Sequence, residues 1–158
     1  MSNKSSGILL YSQAKGFLEV LLVHPAVGPN FFPGDNGWWS IPKGQFDTEE
    51  PLEAGIREFQ EEVGIEIKVD NYIELTPVLQ KNGKTVYAFA VEMELDVSNS
   101  KSNSFIAEYP PNSGIMVEYL EVDKAEWFDV KTAKVKLGTQ RKFIDELVNI
   151  LNKNKYGN

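Results

Sequence analysis

An α/β architecture, with a mixed β-sheet held between helices, is what this sequence predicts, and three stretches carry the prediction. Leu52, Ile56, Phe59 and Val63 recur at spacings of 4, 3 and 4, which confines them to an arc of about 60° at 3.6 residues per turn. Residues 84–95 alternate instead: Tyr87, Phe89, Val91, Met93 and Leu95 share one face, and Ala88, Ala90, Glu92 and Glu94 share the other. Towards the end, Phe143, Leu147, Ile150 and Leu151 return to helical spacing. Strands, a helix, more strands and a terminal helix build a layered sheet. At 158 residues the chain suits one domain with a full core. No internal repeat or linker divides it.

In order, residues 1–6 are polar and are expected to fray. Gly7–Tyr11 and Phe17–His24 read as a hairpin of two strands buried on both faces, joined through Ser12–Gly16. Pro25–Gly37 is rich in Pro, Gly and Asn, carries Phe31 and Phe32, and reads as a loop. Trp38–Pro42 follows as a short strand entering Lys43 and Gly44. Pro51 suits the first helical position and Gly64 the left-handed residue that ends a helix, which bounds a helix at 51–63. Gly55 within it marks either close packing or a surface position. Residues 66–80 read as a strand, a turn at Asp70-Asn71 and extended chain broken by Pro77. Asn82-Gly83 predicts a hairpin turn into the alternating strand. Ser98–Ser104 reads as a flexible polar loop, Phe105–Tyr109 as extended, and Trp127–Val130 as the last strand. A helix over 140–153, capped by Thr139, covers the sheet.

Composition narrows the function. Sixteen Lys and Arg against twenty-three Asp and Glu give a net charge of −7, which disfavours a protein that holds nucleic acid through many phosphate contacts. A small phosphate substrate remains compatible, because a bound cation reverses the local sign. The absence of cysteine excludes disulfides, thiolate metal sites and cysteine nucleophiles. With no signal peptide and no apolar run of eighteen residues, a cytoplasmic protein without membrane attachment is expected. His24, the sole histidine, is expected to be structural.

The chemistry concentrates on the helix. Glu58, Glu61 and Glu62 stand at i, i+3 and i+4, a polar face well round from the apolar arc. Like charges at that spacing cost about 0.2–0.5 kcal/mol per pair, and carboxylates in a last turn oppose the helix dipole. A cation belongs there, and Mg²⁺ is held by a few carboxylates together with water and substrate phosphate.

From Arg57 to Ile65 the run REFQEEVGI resembles, position by position, the signature of the Nudix hydrolases, GX5EX7REUXEEXGU with U an apolar residue. The front half departs by one residue. Gly44 to Glu49 leaves four intervening positions where the family has five, then the expected seven to Arg57; counting through Glu50 gives five and six. Arg57 therefore pairs with Glu49 or Glu50, its planar fork suiting a carboxylate.

The resemblance implies the Nudix fold over essentially the whole chain. It also implies a Mg²⁺- or Mn²⁺-dependent hydrolase in which water attacks one phosphorus of a nucleoside diphosphate derivative. Glu58 and Glu62 would hold metal with the Gly44 carbonyl, joined by Glu61 and by Glu121, six residues before Trp127. Glu61, Arg57 and Glu58 would be the catalytic group. The entry WSIPKG is similar to that of Nudix enzymes acting on nucleoside polyphosphates. Lys43 would then reach a phosphate, and of Trp38 and Trp39 one would pack inward while the other stacks on a base; Trp39 is assigned to the substrate. Dinucleoside polyphosphates such as diadenosine tetraphosphate come first as substrate, oxidised nucleoside triphosphates second and nucleotide sugars third. The alternative of another class is a non-catalytic nucleotide-sensing module, against which the intact REFQEE stands.

Overall fold

The structure is a computed structural model that describes residues 3–25 and 37–155; Phe31 and Phe32 of the expected loop lie outside the described residues. Its main sheet places the strands in the order β4 (Ile73–Glu74), β6 (Thr85–Glu92), β1 (Lys4–Ser12), β2 (Glu19–Pro25) and β9 (Val122–Asp129). β5 (Val78–Leu79) adds to the β6 edge. β1 and β6 are parallel, from Lys4 opposite Thr85 to Tyr11 opposite Glu92, whereas β2 is antiparallel to both β1 and β9, so the sheet is mixed.

Both faces of the inner strands are apolar, as the dense runs GILLY and FLEVLLV require. One face, with Leu9, Leu22 and Ala88, packs on α2 (Val130–Lys136) and α3 (Arg141–Lys155) through Ala133, Phe143, Ile144 and Leu147. The other, with Ile8, Leu10, Leu21 and Phe89, packs on α1 (Pro51–Val63) through Phe59 and Val63. Burying each such large side chain is worth about 1.5–3 kcal/mol. The expected sheet between helices is present, and the alternation over 84–95 divides as read: Phe89 and Val91 face α1, Ala88 and Ala90 face α3.

One departure from a regular sheet positions the site. β1 and β2 pair only at their hairpin end, at Tyr11 with Val20 and Ser12 with Glu19. Residues 40–45 enter the gap between them. Ser40 exchanges two backbone bonds with Val23 (2.8 and 2.9 Å), the Pro42 carbonyl accepts from Ile8 (3.1 Å), and β3 (Lys43–Gln45) pairs antiparallel with Ser5–Gly7. Chain is thus delivered between the strands to the flank of α1. On the α3 side, the buried Gln140 amide accepts the Ile41 N–H (3.0 Å) and holds the wedge from behind.

Several boundaries differ from the sequence reading. The N-terminal segment expected to fray enters β1 at Lys4, with Ser5 and Ser6 buried, because β6 and β3 flank it on both sides. Regular pairing of the Trp38–Pro42 segment begins only at Lys43, with Ser40 making a single bridge. No strand forms over 66–72; β4 and β5 occupy the second half of that stretch. Residues 101–103 of the supposed flexible loop bind the end of α1, where Lys101 N–H donates to the Val63 carbonyl and Asn103 N–H to Glu61 (2.8 and 2.7 Å). β9 is longer than expected, and Val130 starts α2, a short helix the periodicity did not reveal; the Asp129 carboxylate caps it by accepting the Thr132 N–H (2.7 Å). Gly55 packs closely: a Cβ there would lie 3.1 Å from Ser6 Oγ and 3.2 Å from the Gly7 carbonyl.

Gly64 ends α1 at φ +77°, and a Cβ would meet the Lys101 carbonyl. Gly64→Ala therefore combines left-handed strain with a backbone collision. It should lower the unfolding free energy by about 2 kcal/mol or more in urea titrations; a change within about 0.5 kcal/mol would show that the contact with Lys101 is not part of the folded state.

Candidate active site

α1 starts at Pro51 and ends at Gly64 as the sequence predicts, with no basic residue in its last turn. Glu61 and Glu62 therefore face the negative end of the helix dipole without local compensation from that turn. Compensation comes from one turn back. The Arg57 guanidinium donates from Nε to Glu49 Oε2 (2.9 Å) and from Nη2 to Glu49 Oε1 (2.7 Å), while Nη1 donates to Glu58 Oε1 (2.8 Å) and Glu61 Oε1 (3.2 Å). The pairing left open between Glu49 and Glu50 thus falls on Glu49, which has seven residues between it and Arg57. One cation gathers three carboxylates. Its charge holds Glu49 below the usual carboxylate range, chiefly through the side-chain bond.

The carboxylate face packs on the wedge. Glu58 lies directly over Gly44, where any Cβ would coincide with its carboxylate. Glu62 Oε1 accepts the Lys43 backbone N–H (3.1 Å). Burial pushes Glu62 up to about 8, helped by the neighbouring charges of Glu58 and Glu121 and opposed by Lys43. Glu58 is also raised, first by burial and then by Glu61, against the pull of Arg57. Glu121, the residue between β8 (Met116–Leu120) and β9, is raised by burial and by Glu61. Lys43 is lowered, mainly by burial, although Glu62 and Glu58 oppose the shift. Each carboxylate feels the next, so Glu58, Glu61, Glu62 and Glu121 form one electrostatic cluster beside Gly44.

This donor set suits a divalent cation. It is all oxygen, as hard cations require, and its charge is held together at a cost that a cation would relieve. Among the described residues, no three acidic or histidine side chains converge on one point as placed. Glu58 and Glu61 turn to Arg57, and Glu62 turns to the Lys43 amide.

Two of the sequence assignments meet different fates in the fold. Lys43 stands at the edge of the cluster, half-buried, with its backbone on Glu62. Trp39 does not reach a substrate: it is 4% exposed, tilted against His24 at 5.2 Å and edge-on to Phe128 at 4.9 Å. Trp38 is the exposed indole, at 66%. The two tryptophans precede the regular pairing of β3, and of the pair the core one is Trp39. His24 is buried and its Nδ1 lies 2.7 Å from the Asp123 carboxylate, a tie between β2 and β9. Two contributors escaped the sequence reading. Asn103 braces both Glu61 and Glu121 through its backbone, and Gln140 holds the wedge; neither belongs to a pattern of spacing.

The NUDIX domain family matches residues 1–148. The chain belongs to the Nudix family. It is a Nudix-type pyrophosphohydrolase by that membership, and Nudix hydrolases use divalent cations. Solved structures share the Nudix fold at low identity. The Caenorhabditis elegans Ap4A hydrolase in a binary complex superposes with a TM-score of 0.62 at 17% identity, covering 94% of this chain and 98% of that one. The NUDIX domain of Shewanella oneidensis NrtR complexed with ADP ribose gives 0.63 at 15% identity, covering 96% and 89%. RenU, a Nudix hydrolase from M. smegmatis, gives 0.54 at 19%, covering 93% and 86%. No curated protein matches the sequence. No helix among the described residues is long and apolar enough to cross a membrane.

Because Glu62 binds its proton more tightly in this Nudix domain than in the unfolded chain, folding takes up a proton between pH about 4.5 and about 8. Its contribution to stability is therefore complete below that window and is lost as pH rises through it. In chelator, the unfolding free energy of the wild type should fall across the window relative to that of Glu62→Gln, measured by urea titration at stepped pH. Parallel curves for the two proteins would contradict the buried, proton-binding Glu62.

Proposed function

We propose that this Nudix hydrolase cleaves a pyrophosphate linkage in a dinucleoside polyphosphate such as diadenosine tetraphosphate, in the cytoplasm, with Mg²⁺ or Mn²⁺ as its cation. The observation that carries the reading is the carboxylate face of α1, clamped by Arg57 and seated on Gly44 and Lys43. The substrate preference is supported by the WSIPKG entry to that site and by the fold shared with a C. elegans Ap4A hydrolase.

Glu58 and Glu62 would hold the cation with the Gly44 carbonyl, and Glu61 and Glu121 would complete the set. The cation, when bound, neutralises charge on the phosphate oxygens and acidifies water at the site. The protein supplies the remainder. Arg57 sets the height of Glu58 and Glu61 on the helix, and Glu61 orients the attacking water. A carboxylate of this face within hydrogen-bond reach takes the water's proton as the new P–O bond forms and the bridging P–O bond breaks. Lys43 meets a phosphate oxygen as a point charge. The base-stacking role assigned from sequence to Trp39 passes to Trp38, the exposed member of the pair.

The reading is tested by chromatographic product analysis after incubation with Mg²⁺ or Mn²⁺ and a panel of diadenosine polyphosphates, oxidised and ordinary nucleoside triphosphates, nucleotide sugars and ADP-ribose. Diadenosine polyphosphates should turn over fastest, and Glu62→Gln should lose at least about a hundredfold in rate with its circular dichroism unchanged. Faster cleavage of an oxidised triphosphate would replace the substrate. Tight nucleotide binding without turnover would replace the enzyme by a sensing module.

A further inference from the structure

β7 (Ser104–Glu108) and β8 pair with each other as a separate two-stranded sheet, from Ser104 opposite Leu120 to Glu108 opposite Met116. An isolated two-stranded ribbon is marginal in water, and this one is unusually apolar for its exposure. Phe105, Ile106, Met116 and Leu120 are all exposed, Ile106 at 66%. β7 also lacks the usual protections of an edge strand, with neither lysine nor proline in SFIAE.

The ladder fixes which backbone groups face outward. At directly opposed positions, Tyr109 N–H donates to the Ile115 carbonyl (2.9 Å) and Glu121 N–H to Asn103 (3.0 Å). Odd-numbered residues of β7 therefore bond inward to β8, and the N–H and C=O of Ser104, Ile106 and Glu108 point to the opposite edge. That edge is self-complementary. An antiparallel second copy on a two-fold axis at Ile106 sets Ile106 against Ile106, Phe105 against Ala107 and Ser104 against Glu108, a large residue against a small one with no like charges opposed, while the Ser104 hydroxyl stays on Glu118 of its own ribbon. The Glu108 side chain does not obstruct it, being drawn over the turn by the N–H groups of Asn112 and Gly114. The other edge of the ribbon fails the same test, because pairing β8 with itself sets Glu118 directly against Glu118.

We infer that the β7 edge is a homodimer contact, two copies pairing through Ser104–Glu108 into a four-stranded antiparallel sheet. Phe105, Val117 and Tyr119 of both copies then line one continuous face. The contact is small, so association is concentration-dependent rather than obligate. It is independent of the substrate and of the catalytic assignment.

Sedimentation velocity of the full chain from about 1 μM to several hundred μM should show a shift from monomer to dimer, as a contact below the standard interface size predicts. Ile106→Lys, at an exposed position outside the catalytic group, should remain monomeric throughout with unchanged circular dichroism, whereas Glu118→Lys should associate as the wild type does. Amide hydrogen exchange at Ile106 should slow as concentration rises, and at Glu118 it should not. A wild type monomeric at every concentration, a dimer that survives Ile106→Lys, or slowed exchange at Glu118 instead of Ile106 would each overturn the inference.

Discussion

The arrangement of the carboxylate face of α1 depends on the guanidinium of Arg57. It bonds Glu49 in the loop before α1 and Glu58 and Glu61 on the helix itself, so one planar cation ties the entry of the helix to its acidic end. Hydrogen bonds to charged groups are worth about 1.5–3 kcal/mol each when desolvated, and less where water screens them. The Glu49 fork is the screened part and Glu58 the desolvated part, since Glu58 is nearly buried against Gly44. The deleted residue in the preceding loop leaves this geometry intact because Glu49 keeps seven residues between it and Arg57.

The second constraint is backbone approach. The sheet opens between β1 and β2 to admit residues 40–45, and glycine at 44 leaves the space that the Glu58 carboxylate occupies over that wedge. At the other end of α1 a glycine at 64 lets residues 101–103 cross the helix terminus and satisfy its last carbonyls. That crossing also brings Glu121 to the cluster. Burial between these segments is what raises Glu58, Glu62 and Glu121 together, so the fold itself creates the charge imbalance that a divalent cation would resolve.

Local signals in the sequence were strong where a single element decides the outcome. The limits of α1 follow from Pro51 and Gly64, its core face from the spacing of Leu52 to Val63, and the facing of β6 from strict alternation. Legibility ended where the deciding contact is distant. Choosing Glu49 over Glu50 requires the fold of the loop, and choosing the buried tryptophan requires knowing that His24 and Phe128 meet Trp39. The polar run 98–104 reads as flexible by composition, yet the Lys101 and Asn103 amides donate to the last carbonyls of α1. Helix α2 is too short for periodicity and is announced only by the Asp129 cap.

The central claim is that Glu62 and its neighbours form a cation site at neutral pH. Calorimetric titration of Mg²⁺ into the nucleotide-free protein at pH 7, in two buffers of different ionisation enthalpy, tests it most directly. The account predicts binding accompanied by proton release, with Glu62→Gln binding at least about tenfold more weakly and releasing no proton from that site. A folded wild type that binds no divalent cation, or a Gln variant that binds equally well with the same proton release, would contradict it.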